Sequence, residues 1–323
     1  MQLVEVPDVQ ASVPTVRISL SRVGVTGVEK VIRVQDQLFY AKLECFVDLG
    51  PAQKGAHMSR FEETVNDVIG EVVLGEGAFR AETLAVRIAE LVRERQGARR
   101  AEVTIAARYP EHKPAPVSGI QTQEIYTLFG SAAASEAGTR RLVGVAAQGM
   151  TACPCAQQLV AGAARERLAD HGFDEAQIEQ ILEDVPVATH NQRGLATLHI
   201  GCPEGCDIEL EGHALLKIAE ESMSSEIYEM MKRSDEGAVV EKAHRRPRFV
   251  EDCVREMIRG VVDELPMLTD DHFVSARQEN LETIHQHNVV AERHGLLGEL
   301  RRELRTGEPS SAHLSMREWL TAA

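Results

Sequence analysis

Gly149-Met150-Thr151-Ala152-Cys153-Pro154-Cys155 sets one proline between two thiols. A strand-like stretch, 140–147, precedes it, and a helix-like stretch, 156–169, follows it. Proline lacks the backbone donor and fixes φ, so the strand must break at Pro154. The break presents Cys153 at a strand end. A C-x-C pair is not the C-x-x-C of a zinc ribbon or a dithiol redox motif. One thiolate therefore needs ligands from other parts of the chain.

Working outward, 16–28 is β-branched and interrupted by Gly24 and Gly27, which suggests a bent or bulged strand. Along 39–49, Phe39, Leu43, Cys45, Val47 and Leu49 share a face opposite Lys42, Glu44 and Asp48, the pattern of a half-buried strand with Cys45 in the core. Phe61, Val65, Val68, Ile69, Val72 and Val73 recur at helical spacing, as do Leu84, Ile88, Leu91 and Val92, with Gly75 and Gly77 between the two helices. Strands resume at 103–109, 124–131 and 140–147.

Beyond Cys155 come two helices, the second opened by a capping box of Asp174 and Gln177. Strands at 195–200 and 207–210, helices at 215–231 and 249–262, and strand or loop at 273–276 and 282–287 complete the second half. The element order predicts an α+β fold with a coarse ββααββ duplication. The units are 1–118 and 119–294, and a polar C-terminal helix with a frayed tail covers 295–323.

The chain of 323 residues carries a net charge of −15, which argues against a nucleic-acid binder and leaves an anionic ligand dependent on a local basic pocket. Residues 1–5 show no signal-peptide pattern and no 18-residue apolar run occurs, so the sequence predicts a cytoplasmic protein with no membrane partner. In that compartment the six cysteines read as metal-binding or catalytic groups, or as core, before disulfides.

Several polar clusters fall at element ends. Lys54-Gly55-Ala56-His57-Met58-Ser59-Arg60 lies between a strand and a helix, where Ser59 can cap the helix and the bases can face an anion, or serve as an ordinary capped turn. Thr189-His190-Asn191-Gln192-Arg193 is a donor-rich loop. Lys232-Arg233-Ser234-Asp235-Glu236 ends a predicted helix, and Phe249-Val250-Glu251-Asp252 opens another. Glu282-Thr283-Ile284-His285-Gln286-His287 holds an acid and two imidazoles, a metal-ligand pattern that a polar loop also produces. Gly201-Cys202-Pro203-Glu204-Gly205-Cys206 can clip a metal or form a hairpin loop with incidental thiols, the latter being preferred, and Cys253 reads as core. A mixed sulfur, nitrogen and oxygen set suits Zn²⁺ or Fe²⁺ better than Mg²⁺ or Ca²⁺.

Asp8-Val9-Gln10 and the clusters at 54–60, 151–155, 190–193, 232–236, 249–252 and 282–287 occur in an order that resembles the prokaryotic type IB GTP cyclohydrolases over about residues 8–293. The roughly 30-residue spacer between Cys155 and His190, and Val23-Gly24-Val25-Thr26-Gly27-Val28, resemble the archaeal branch rather than the bacterial folate branch. The archaeal enzymes are Fe(II)-dependent and form 7,8-dihydroneopterin 2′,3′-cyclic phosphate; the bacterial ones form the triphosphate.

The resemblance implies a tandem tunnelling fold of two ββααββ units in a homotetrameric barrel with intersubunit sites, GTP as substrate, and one divalent metal per subunit. Fe(II) is favoured, with Mn or Zn as alternatives. It also implies Cys153, His190, Glu236 and His285 as metal ligands, with Glu241 the rival of Glu236. Cys153, Cys155, Glu282 and His287 would take part in catalysis. Glu251 would hold the guanine, and Lys54, His57, Ser59, Arg60, Gln192 and Arg193 would bind the remainder of the substrate. Two other readings are a nitrile reductase of queuosine synthesis, also a tunnelling fold, and a non-catalytic protein with zinc on Cys153, Cys155, Cys202 and Cys206.

Overall fold

A computed structural model describes residues 8–34, 37–72, 80–310 and 313–322. Residues 1–5, Val73, Gly75, Gly77 and the side chain of Val72 lie outside the described residues.

One antiparallel sheet organises the chain. β1 (Leu20–Val34) and β2 (Gln37–Leu49) are followed by α1 (Met58–Val72) and α2 (Ala81–Gln96), then β3 (Ala101–Pro114) and β4 (Gln121–Ala134). β5 (Thr139–Ala152), α3 (Pro154–Asp170), α4 (Glu175–Asp184) and β6 (Asn191–Cys202) come next. α5 (Gly212–Glu221), the short β7 (Ser225–Glu226), α6 (Arg233–Arg245), α7 (Val250–Glu264), β8 (Phe273–Leu281) and β9 (Val289–Leu296) follow, then α8 (Leu297–Thr306) and α9 (Met316–Thr321). The sheet order is β1-β2-β3-β4-β5-β6-β8-β9, with β7 paired to β5 at Gly149 and Met150.

Alternation puts one face of each strand under the helices. Leu43, Cys45, Val103 and Ile105 join Phe61 and Val65 of α1 and Leu84 and Ile88 of α2 in one buried cluster. Leu198, Ile200 and Ala276 join Leu215 of α5 and Cys253, Met257 and Val261 of α7 in the other. Cys45 and Cys253 are thus core, as their positions predicted. α2 reaches β4 because residue 130 is glycine: a Cβ there would overlap the Ala81 carbonyl.

The first half reads β1β2α1α2β3β4. The second repeats that order as β5β6α5α7β8β9, with α3–α4 and β7–α6 inserted. The expected division at 118 and 119 falls inside the β3–β4 hairpin, which pairs from Ala101↔Ala134 to Pro114↔Gln121.

Three local expectations need correction. Residues 207–210 form no strand, because the chain passes through a turn and loop into α5. The helix expected over 215–231 stops at Glu221, and the following serines turn the chain into β7; Ser224 Oγ accepts the Ala152 N–H at 3.1 Å. The tail docks rather than frays, since Trp319 is buried and stacks on Phe273 at 5.4 Å.

Candidate active site

β5 and β6 pair from Arg141↔Cys202 to Ala152↔Asn191, which brings the break after β5 beside the start of β6. The Cys153 N–H donates to His190 O at 3.1 Å, and Thr189 Oγ1 donates to Cys153 O at 2.8 Å. Cys153 is the N-cap of α3, with its Sγ 3.5 Å from the Ala156 N–H that it accepts. Pro154 occupies the first helical position, where a missing N–H leaves no bond unmade. The positive end of the helix dipole therefore faces the sulfur. Cys155 is exposed inside the first turn of α3, so the two thiols are unequal.

His190 is held by Gln192. The Gln192 amide nitrogen donates to Thr151 Oγ1 at 3.0 Å, leaving Oε1 as acceptor 3.1 Å from His190 Nδ1. Nδ1 then carries the proton and Nε2 keeps its lone pair for a ligand bond. Gln192, expected at the substrate, is buried and commits both ends of its amide to these partners.

The segment 282–288 is a loop of bends between β8 and β9, not a strand, and it closes over the same end. Thr283 Oγ1 donates to Asn191 O at 3.0 Å. The His190 and His285 rings stand perpendicular with centroids 6.4 Å apart, and His285 and His287 stack at 5.2 Å. Two imidazoles that share one tetrahedral ion through bonds of about 2.0–2.1 Å hold their centroids about 5 Å apart, so the His190 and His285 rings stand about 1 Å wider than a shared ion would hold them. Glu282 Oε2 is buried with no hydrogen-bond partner among the described residues, 3.9 Å from His190 Nδ1. An orphaned carboxylate oxygen beside imidazoles is a group that a cation satisfies. This end of the sheet therefore fits a divalent metal.

Two helices frame it. Arg248, just before α7, donates its N–H to Ala152 O at 3.0 Å, which sets Glu251 one turn from the Cys153 break. Glu251 is exposed and lines a 450 Å³ cavity with Arg255, Arg293 and Glu303. At the C-terminal end of α6, His244 Nε2 lies 3.4 Å from Thr189 O, and Gln157 Nε2 donates to His244 O at 2.6 Å. Glu236 is exposed near the other end of α6, about 12 Å from His244 at 1.5 Å per residue. That end is fixed by Asp235, which accepts the Val117 and Ser118 N–H groups and Ser118 Oγ–H at 2.7–2.8 Å. These donors outweigh the cost of burial and hold the Asp235 carboxyl well below the usual range. Glu241, the rival of Glu236, pairs with Arg245 at 2.9 Å.

The basic run 54–60 lies elsewhere. It follows Leu49, and the register carries that end of β2 through Ala101 and Ala134 to Thr139, the opposite end of β5 from Ala152. Lys54 and Ser59 are exposed. His57 binds Asp8 at 3.0 Å, and Arg60 donates to Arg95 O at 3.0 Å. The helix begins at Met58, so Ser59 is its second residue rather than its cap. Arg193 faces away from Gln192 across the sheet, bonds Gln148 at 2.8 Å and lines a 730 Å³ cavity with Arg108 and Arg277. Sequence reading missed Thr151, Gln157, Arg248 and His244. Arg248 stood in the Pro247-Arg248 run ahead of α7, whereas the others show their part only through long-range contacts.

The paired strands also exclude a four-thiolate zinc site, since Cys153 and Cys155 lie at one end of β5–β6 and Cys202 and Cys206 at the other.

An antiparallel α+β scaffold with a thiol, imidazoles and an orphaned carboxylate at one pole defines a candidate metal-dependent enzyme. The chain belongs to the type I GTP cyclohydrolase folE2 family, whose pattern matches residues 6–291. It is similar to GTP cyclohydrolase MptA of Methanococcus aeolicus, 42% identical over 92% of this chain and 99% of that protein. It is also similar to MptA of Methanosarcina mazei, 42% identical over 92% of this chain and 97% of that one. In fold it is similar to a hyper-thermostable AgUricase mutant at TM-score 0.50 and 9% identity, covering 91% of this chain and 94% of that one. Among the described residues no helix is long and apolar enough to cross a membrane.

Proposed function

We propose that this protein is a GTP cyclohydrolase of the MptA kind, which opens the guanine imidazole ring of GTP, releases formate and forms 7,8-dihydroneopterin 2′,3′-cyclic phosphate. One observation carries the reading. Cys153, His190, Glu282 and His285 gather at one end of the sheet in a chain related to MptA proteins over nearly their whole length.

Cys153, His190 and His285 would hold the metal, with Glu236, exposed at the far end of α6, as a further ligand from a neighbouring subunit; Fe(II) is the favoured ion, and Mn or Zn are alternatives. When bound, a divalent metal here supplies Lewis acidity that draws the pKa of a water from about 15.7 towards 7. Gln192 keeps the His190 proton on Nδ1. Glu251 accepts the guanine N1–H and 2-amino protons, a pairing of one carboxylate with two parallel donors. Glu282 accepts the proton of the attacking water at C8, and His287 returns protons to N7 and N9 as the ring opens. Cys155, exposed beside Cys153, supports it from the first turn of α3. A second hydrolysis frees formate, and the ribose rearranges and closes on the released amine. Attack of the neighbouring hydroxyl on the α-phosphorus then displaces diphosphate and forms the cyclic ester.

The phosphates need cations. Lys54, His57, Ser59 and Arg60 lie at the far end of the sheet of their own chain, so they reach a site only in a neighbouring subunit. Arg193 joins them from the sheet face away from the helices. This separation supports a homo-oligomer, a barrel of tandem tunnelling units with sites between subunits. α3 buries none of its residues within the chain and leaves Leu159 73% exposed, which also supports assembly. A nitrile reductase would leave His190, His285 and Glu282 without a role.

Anaerobic incubation of the Fe(II)-loaded protein with GTP tests the reading. Formate, diphosphate and a fluorescent cyclic pterin phosphate are expected in equal amounts. Formate with the triphosphate retained places the enzyme in the folate branch, and no formate refutes the assignment.

A further inference from the structure

At the end of β6 remote from His190, three ligand-type side chains converge. Among the described residues, Cys202, Cys206 and His272 form the one group of three or more His, Cys, Asp or Glu whose ligand atoms all lie within 4.8 Å of one another. Cys202 ends β6, Cys206 follows a tight turn, and His272 precedes β8. The 12 residues of β6 place this cluster about 36 Å from the Cys153 end at 3.3 Å per residue.

The cluster is built rather than incidental. The Cys206 N–H donates to Pro203 O at 3.3 Å, closing a β-turn whose third position needs a positive φ, and Gly205 supplies it at 71°. Arg141 donates to Cys206 O at 2.7 Å and to Ile208 O at 3.1 Å, pinning the loop to β5. On the other side, the Leu297 N–H donates to His272 O at 2.8 Å and the Gly298 N–H to Asp270 O at 3.0 Å. Arg301 adds bonds to Asp270 at 2.6 Å and to Leu268 O at 2.9 Å. Cys202 and His272 are almost fully buried.

The geometry matches an ion. A tetrahedral centre with a metal–sulfur bond of about 2.3 Å and a metal–nitrogen bond of about 2.0–2.1 Å separates the two ligand atoms by about 3.5 Å. Cys206 Sγ and His272 Nε2 are 3.5 Å apart. Behind the ring, Thr269 Oγ1 lies 2.9 Å from His272 Nδ1 and donates its own proton to Asp271. The Thr269 N–H donates to the same Nδ1 at 3.1 Å, so in this structure Nδ1 accepts and Nε2, which faces the thiols, carries the proton. With a metal on Nε2 the proton would sit on Nδ1, where Thr269 Oγ1 can accept it, the arrangement that orients a ligating histidine.

We propose that Cys202, Cys206 and His272 form a second metal site, separate from the candidate active site, for a thiophilic divalent cation of the zinc class. Binding releases the two thiol protons, leaves the imidazole neutral and keeps the fourth position for water. The ion ties the turn after β6 to the loop before β8, at the end of β6 remote from Cys153.

Cobalt(II), as a coloured stand-in for zinc, tests this on the full chain in a Cys153→Ala background, where the candidate active site has lost its thiolate. One equivalent of cobalt is expected, with a sulfur-to-metal charge-transfer band. Adding Cys206→Ser should remove about half of that band and weaken zinc binding more than about 100-fold, a larger loss than changes to a group behind a ligand cause. Thr269→Val keeps all three ligands and should weaken zinc binding by about 10–100-fold. This variant carries the test if Cys206→Ser misfolds. Absence of a charge-transfer band in the Cys153→Ala protein overturns the site. So does unchanged zinc affinity in both variants, or a Cys202–Cys206 disulfide found in protein that takes up no metal.

Discussion

The two ends of β6 hold similar ligand types in opposite states of readiness. At the Cys202 end three ligand atoms already lie within 4.8 Å of one another, with Cys202 and His272 buried, Cys206 half-buried, and backbone bonds bracing both sides. At the His190 end the rings of His190 and His285 are 6.4 Å apart, His285 and His287 are exposed, and Glu282 carries an orphaned oxygen. A set already gathered and braced suits an ion that only holds two loops together, with water in its fourth position. An open one keeps room for substrate and for groups from another subunit, as a catalytic metal requires. The proposed holding and reacting sites thus lie about the length of one strand apart.

The largest expected effect tests that separation at its reactive end. Cys153→Ala should lower formate release at least about 1,000-fold, because the thiolate ligand is lost, while thermal unfolding shifts by only a few degrees. A variant with near-normal turnover would remove Cys153 from the chemistry. Glu251→Gln comes next. It trades two charge-assisted bonds for one neutral acceptor and a misplaced donor, so kcat/KM for GTP should fall about 100-fold with metal content unchanged. An equal loss of metal would instead move Glu251 into the metal shell.

Gln192→Leu removes the bonds to His190 and to Thr151 and touches no proposed substrate contact. Loss of the Oε1 acceptor should cost about 10–100-fold in metal affinity at this end, with excess Fe(II) restoring turnover. A change in KM for GTP that excess metal does not repair would return Gln192 to the substrate.

The smallest effect belongs to neither end. His199 lies on β6 between them, its ring 5.2 Å from Phe129 and packed where Gly144 leaves room. Burial lowers its pKa to about 4 from an ordinary 6.5. The unfolded chain then binds the proton more readily than the folded one between those values. Its contribution is complete above pH 6.5 and is lost as pH falls towards 4. His199 as a whole is half-buried, so the loss is about 1–2 kcal/mol. Denaturant unfolding of His199→Gln should show a flatter acid limb than the parent, and identical limbs would assign the acid sensitivity to other groups.

What the sequence revealed follows where the determining contacts are local. The alternation through Phe39, Leu43, Cys45 and Leu49 identified β2, and Asp174 with Gln177 marked α4, because capping and periodicity involve residues only a few positions apart. Cys153 at the end of β5 was readable because Pro154 acts on its own neighbours. α6 was not: it buries only Asp235, Val239 and Ala243, too narrow a stripe for a clear helical signal. His272 gave no sign at all, since it meets Cys206 across 66 positions through two loops. The distance of Lys54 and Arg60 from Cys153 depends on the register of β2 through β5, which no local pattern encodes.

The most direct measurement compares formate release from GTP by three anaerobically Fe(II)-loaded proteins: the parent, Cys153→Ala and Cys206→Ser. The parent and Cys206→Ser are expected to release formate at rates within about twofold of each other, and Cys153→Ala to release essentially none. Equal loss in both variants, or activity that survives only in Cys153→Ala, would contradict a reactive end at Cys153 and a holding end at Cys202.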